Sequence, residues 1–160
     1  MTTSPPAQPQ PAFTPLDPAY AARVRASFGR QKAMALIGAT MTRIEPGFCE
    51  IELPFRDDLT QQKGYVHGGI IGMIADSACG YAAYSLMPAD SSLVTVEYKI
   101  NIMAAAKGGL LVARGEVIKP GRTLSITSGE VYARQHGGSV LVAAMQQTLM
   151  MLPGTPDTPG

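Results

Sequence analysis

The stretch from Gly68 to Met87 is the most apolar long segment of the chain, yet Asp76 interrupts it and small residues fill much of it. Ile70, Met73, Ile74, Ala78, Tyr81, Ala82 and Ser85 recur at helical spacing, which predicts a helix over 68–86. A carboxylate in mid-segment argues against a membrane span and for a helix buried in a soluble protein. A helix that is apolar nearly all round must be wrapped by something.

The wrapping is legible on either side. Downstream, Leu93–Met103, Leu110–Ile118, Thr123–Gln135 and Ser139–Leu152 have strand character, separated by Ala106-Lys107-Gly108, Lys119-Pro120-Gly121 and His136-Gly137-Gly138. Such short separators suit antiparallel connections. Upstream, Ala33–Ile44 and Phe48–Pro54 read as a hairpin joined through Glu45, Pro46 and Gly47. Asp17 is a candidate N-cap with Pro18 at the first helical position, opening a short helix over Ala19–Phe28 that ends near Gly29. The order predicts an α+β fold, an antiparallel sheet curled around one buried central helix.

With 160 residues, one domain suffices, burying roughly 70% of the unfolded chain's surface. The proline-rich start, 1–15, and the Pro/Gly/Thr tail, 153–160, bury little and are expected to be disordered around a domain at 16–152. The start lacks the basic and apolar stretches of a signal peptide. Cys49 and Cys79 have no CxxC spacing and read as reduced thiols in a cytoplasm. A net charge of +1 without a basic stripe speaks against nucleic-acid binding.

Chemistry concentrates in Gln61–Asp76, QQKGYVHGGIIGMIAD. His67 followed by Gly68 and Gly69 frees backbone N–H groups at the positive end of the helix dipole, an anion or oxyanion site in prospect. Asp76 lies nine residues after His67, among Ile, Met and Ala neighbours. A carboxylate there is either paired structurally or kept for general-base or nucleophilic work. His67 by itself is weak evidence, since a histidine before a helix is more often a satisfied structural group than a catalyst. No pair of His, Cys or Asp residues has zinc spacing, and GxSxG and phosphate-cradling loops are absent, so no metal, serine hydrolase or P-loop reading is drawn. Lys107 and Arg122 sit beside glycines in loops, and Thr95 alternates with Val94 and Val96 on a strand.

These residues resemble the hotdog-fold thioesterases of the phenylacetate-degradation (PaaI-like) family. The resemblance runs from about Ala33 to Leu152. It rests on VHGG at Val66–Gly69 with an acid at Asp76, on VTVEYKINIMAAAKGG at Val94–Gly109, and on KPGRTL at Lys119–Leu124. It implies a six-stranded antiparallel sheet wrapped around the long helix, and hydrolysis of an acyl-CoA in a homodimer or homotetramer with sites at the subunit interface. No cofactor, nucleic acid or membrane is implied. By the same resemblance Gly68 offers its N–H to the thioester carbonyl, and Gln61 or Gln62 takes the place of an Asn or Gln. Asp76, from the partner subunit, is general base or nucleophile. His67 and Gly69 belong to the same motif, Thr95 falls where relatives carry a water-holding Ser, and Lys107 and Arg122 fall near the coenzyme A phosphates. The alternatives are a hotdog hydratase or dehydratase on enoyl or hydroxyacyl thioesters, and a non-catalytic acyl-CoA binding module.

Overall fold

The structure, a computed structural model, describes residues 13–135 and 137–157. Of the ends expected to be disordered, residues 1–12 and 158–160 lie outside the described residues, as does His136. Within them the predicted order is present: helices α1 (Tyr20–Arg30) and α2 (Lys32–Ile37), strands β1 (Thr40–Glu45) and β2 (Phe48–Pro54), helix α3 (Gly68–Tyr84), then β3 (Ser91–Ile102), β4 (Leu110–Lys119), β5 (Leu124–Gln135) and β6 (Gly138–Pro153).

Helix α1 starts later than the Asp17–Pro18 pair predicts, with Ala19 as its N-cap, and runs to Arg30; the Asp17 carboxylate accepts the Ala19 N–H at 2.8 Å in the turn ahead of it. The segment α2 corrects the sequence reading, which took Ala33–Ile44 as one strand. Lys, Ala, Met and Leu are good helix formers, and Gly38, at φ 80°, ends the turn before β1 starts. The apolar run was real, but its first half covers the core as a helix, with Met34 and Ile37 buried.

The strands form a single antiparallel sheet in the order β1-β2-β4-β5-β6-β3. Helix α3 lies across its concave face and touches every strand. Two glycines make that approach possible. Gly115 and Gly129 are register partners on β4 and β5; a Cβ on the first would sit 2.3 Å from the Ala78 backbone, and one on the second 2.7 Å from Cys79 Sγ. Ile71, Ile74, Ala78, Cys79 and Ala82 are consequently at or near zero exposure against Ile51, Leu53, Leu111, Val131 and Leu149. Cys49 and Cys79 are free and buried.

The C-terminal end of α3 is closed by Arg23. Its guanidinium lies 4.1 Å above the Tyr84 ring, donates to the Tyr84 and Met87 carbonyls at 3.2 and 2.8 Å, and pairs with Asp17 at 2.7 Å. The domain's flanks are packed as far as they are described. Phe13 lies against Gly47, Pro153 still pairs with Ser91, and Asp157 bonds Arg30. Among the described residues no helix is long and apolar enough to cross a membrane.

Candidate active site

The N-terminus of α3 is built by His67, whose extended backbone places its ring over the first turn, Nδ1 accepting the Gly69 N–H at 2.9 Å. The hydrogen of a neutral ring then sits on Nε2. Ile70 and Ile71 N–H both turn to the His67 carbonyl, at 2.9 and 3.2 Å. Gly68 alone of these first amides has no partner among the described residues. Of the two glycines expected to offer donors, Gly68 keeps its N–H unpaired among the described residues, while the Gly69 N–H is consumed by the cap.

Gly68 lines a cavity of about 380 Å³ with Gln61, Tyr65, Val66, Ile71 and the 102–106 segment. A Cβ on Gly68 would stand 2.8 Å from Ile102 Cδ1, so a side chain there would press into this wall. Gln61 is held in a tight loop, its N–H donating to the Tyr65 carbonyl at 2.8 Å. Its Oε1 accepts the Lys63 N–H, which leaves its Nε2 as a donor without a partner among the described residues. Gln62 is exposed and does not line the cavity. Gln61 is therefore the glutamine beside Gly68.

Asp76 opens elsewhere. It stands eight residues after Gly68, roughly 12 Å along a helix rising about 1.5 Å per residue. It lines a separate cavity of about 170 Å³ with Ser77 and Tyr81 of α3, Ser27 of α1, Gln31 between α1 and α2, Thr95 of β3 and Asp157. Burial pushes the Tyr81 hydroxyl up to about 12, so at neutral pH it serves there as a hydrogen-bonding group in contact with Ser27 Oγ at 3.2 Å.

Asp76 is held by two side chains. Thr95 Oγ1 donates to its Oδ1 at 2.8 Å, and Gln147 Nε2 donates to the same oxygen and to Thr95 Oγ1 at 2.9 Å. Among the described residues Oδ2 accepts no hydrogen bond. Thr95 reaches Asp76 through an irregularity. Tyr98, Ile100 and Ile102 face α3 by pairing with Gln147, Met145 and Ala143, but the register slips between Thr95 and Glu97. Val96 is the extra residue of a β-bulge, and the bulge turns Thr95 onto the helix face in register with buried Leu149.

Gln147 was not among the residues singled out by sequence. It is 1% exposed, and its Oε1 is buried without a partner. An orphaned buried acceptor costs about 1–3 kcal/mol, so the amide's orientation is set by the carboxylate, whose charge-assisted bonds outweigh that loss. The available signal was the pair Gln146-Gln147 inside an apolar strand: adjacent strand residues face opposite ways, so one glutamine had to be buried.

Lys107 is exposed on the β3–β4 loop, next to Ala106, which lines the Gly68 cavity. Arg122 lies at the other end of α3, lining a mostly apolar cavity of about 470 Å³ with Ala83, Leu86, Met87 and Met151. One chain thus brings Gln61, His67, Gly68 and Lys107 to one end of the helix, Asp76 and Thr95 to its middle, and Arg122 to its far end. Among the described residues no group of three His, Cys, Asp or Glu is arranged to hold a metal ion.

The sequence model of the thioesterase superfamily matches residues 63–140. The crystal structure of a thioesterase family protein from Silicibacter pomeroyi is 45% identical, covers 84% of this chain and 99% of its own, and superposes with a TM-score of 0.83. The PaaI protein of the Escherichia coli phenylacetic acid degradation operon shares the fold, with a TM-score of 0.78 over 88% of this chain and 99% of its own at 19% identity. A 1,4-dihydroxy-2-naphthoyl-CoA hydrolase of Listeria monocytogenes is 27% identical over 90 residues, 56% of this chain and 73% of that protein. With the six-stranded sheet around α3, and with the first of these relatives matched along nearly its whole length, the chain belongs to the thioesterase superfamily and is a thioester hydrolase of the hotdog fold.

Proposed function

We propose that the protein hydrolyses an acyl-CoA to a free acid and coenzyme A at sites shared by two copies of the chain. The observation that carries this reading is the unpaired N–H of Gly68 beside the free amide of Gln61, with the open Oδ2 of Asp76 out of reach on the same chain. The thioester oxygen, charging as the carbonyl carbon becomes tetrahedral, is stabilised by the Gly68 N–H at the positive end of α3 and by Gln61 Nε2. Asp76 Oδ2 of the second copy takes a proton from water as the water oxygen bonds to that carbon. The intermediate collapses with loss of the coenzyme A thiolate, a stable leaving group that needs little acid help.

The second copy has a surface to use. β3 is an edge strand carrying Val94, Val96 and Ile102 at 42–54% exposure, with Met103 just beyond its end, an apolar unpaired edge of the kind that seeks a partner. Two-fold docking there would bring each Asp76 toward the other copy's Gly68. The CoA-directed activity named for the Listeria relative and the exposed cation Lys107, next in the chain to Ala106 of the Gly68 cavity wall, support coenzyme A as the leaving group.

The test is free-thiol release from short, medium, long-chain and aryl acyl-CoAs by the wild type and by Asp76→Asn. Turnover by the wild type that falls at least about a hundredfold in the variant, with assembly state unchanged, supports the reading. A wild type inactive on every thioester overturns it.

A further inference from the structure

Gln147 has no part in the oxyanion arrangement and touches neither cavity lining, yet it is the most deeply buried polar side chain bonded to Asp76. Its Nε2 donates to Asp76 Oδ1 and to Thr95 Oγ1, and Thr95 Oγ1 donates to that same Oδ1. The three groups close a triangle that loads one carboxylate oxygen and leaves the other bare. The buried glutamine carbonyl goes without a partner to keep this geometry.

We propose that Gln147 is a positioning residue for hydrolysis: together with Thr95 it fixes the rotation of the Asp76 carboxylate, so that Oδ2 alone presents a lone pair to the attacking water. This rests on Asp76 being the base. A free carboxylate on a helix rotates about its terminal bond, which has broad and roughly two-fold minima, and offers its oxygens interchangeably. Two donors converging on Oδ1 remove that freedom. The same cavity is lined by Asp157, which is bonded to Arg30, and by Tyr81 and Tyr84; burial pushes the Tyr81 hydroxyl up to about 12. Cys79 below Asp76 is held as the thiol because burial pushes it up to about 12 as well.

The experiment compares kcat and KM for thiol release by the wild type, Asp76→Asn, Gln147→Met and Gln147→Glu, each as the assembled full-length protein. Gln147→Met keeps the volume and removes both donors. It is expected to lower kcat on the order of ten- to a hundredfold with KM nearly unchanged. Gln147→Glu keeps the shape, removes the same donors and sets a second carboxylate against the first, and is expected to lower kcat at least as far with KM again nearly unchanged; it serves where the Met variant does not fold. Wild-type kcat in a folded Gln147 variant, with Asp76→Asn inactive, overturns the positioning role alone. Full activity in Asp76→Asn overturns the base assignment, and this inference with it.

Discussion

Thr95 Oγ1 lies 2.8 Å from Asp76 Oδ1, a contact between an edge strand and a central helix separated by 19 residues in the chain. It exists because a bulge at Val96 turns Thr95 toward the helix. The relationship holds the carboxylate from the sheet side through Oδ1, while Oδ2 accepts no hydrogen bond among the described residues. Thr95→Val should therefore lower kcat about tenfold or more while leaving the assembled protein stable, since the residue is exposed on the isolated chain. Steady-state thiol release beside a urea melt checks both halves of that statement.

If the site is shared, damage in different copies must complement. Asp76→Asn and Gln61→Ala homodimers are each expected to be nearly inactive. Mixing them by unfolding and refolding gives about half heterodimers, each with one undamaged site, and so about a quarter of wild-type activity. Recovery of no activity, from mixtures in which heterodimers are demonstrated by mass spectrometry, would sink the shared site.

A charge on the open edge should separate the copies. Val96→Lys is expected to convert the assembly to monomers by light scattering and to abolish thiol release together with it. Activity retained in a monomeric variant would contradict the reading.

Gly115 meets α3 at its narrowest approach, with the Ala78 backbone 2.3 Å from where a Cβ would be. Gly115→Ala must push helix from sheet, and overpacking of this kind typically costs about 1–3 kcal/mol. The urea midpoint should fall accordingly.

Acid stability should depend on Asp17. Its carboxyl is held below the ordinary 3.8 by the Ala19 N–H and then by Arg23. A depressed folded-state value means that the contribution is complete above 3.8 and is lost as pH falls through the lowered value. Asp17→Asn is thus expected to unfold more readily than the wild type at neutral pH. The gap between their urea midpoints should close on acidification, which a series from about pH 7 to about pH 2 would record.

The cysteines should be silent. Burial pushes the Cys79 thiol up to about 12 and raises that of Cys49 as well, and both side chains are at 0% exposure. A thiol reagent at about pH 8 is expected to label neither in the native protein and both in denaturant; rapid native labelling would show that α3 opens from the sheet.

Much of this protein is written locally in its sequence. The small-residue helix around Asp76 needed a wrapping, and four strand-like runs with short polar separators supplied it, so helix, sheet and order followed from periodicity. His-Gly-Gly ahead of the helix marked an amide donor, because a glycine at a helix start leaves the backbone bare. What failed locally was Ala33–Ile37, where the strand reading lost to helix propensity and the Gly38 stop.

The rest was decided by chain-distant contacts. The bulge that turns Thr95, the placing of Gln61 rather than Gln62 on the cavity wall with 102–106, and the burial of Gln147 under Asp76 all depend on which segments meet in the folded chain. A one-residue slip reverses every side chain of a strand, and no pattern within β3 announces where that slip falls. The separation of Gly68 from Asp76 along α3 was implicit in their spacing. Only the folded chain, with each opening on its own cavity, made it a physical argument for a second copy.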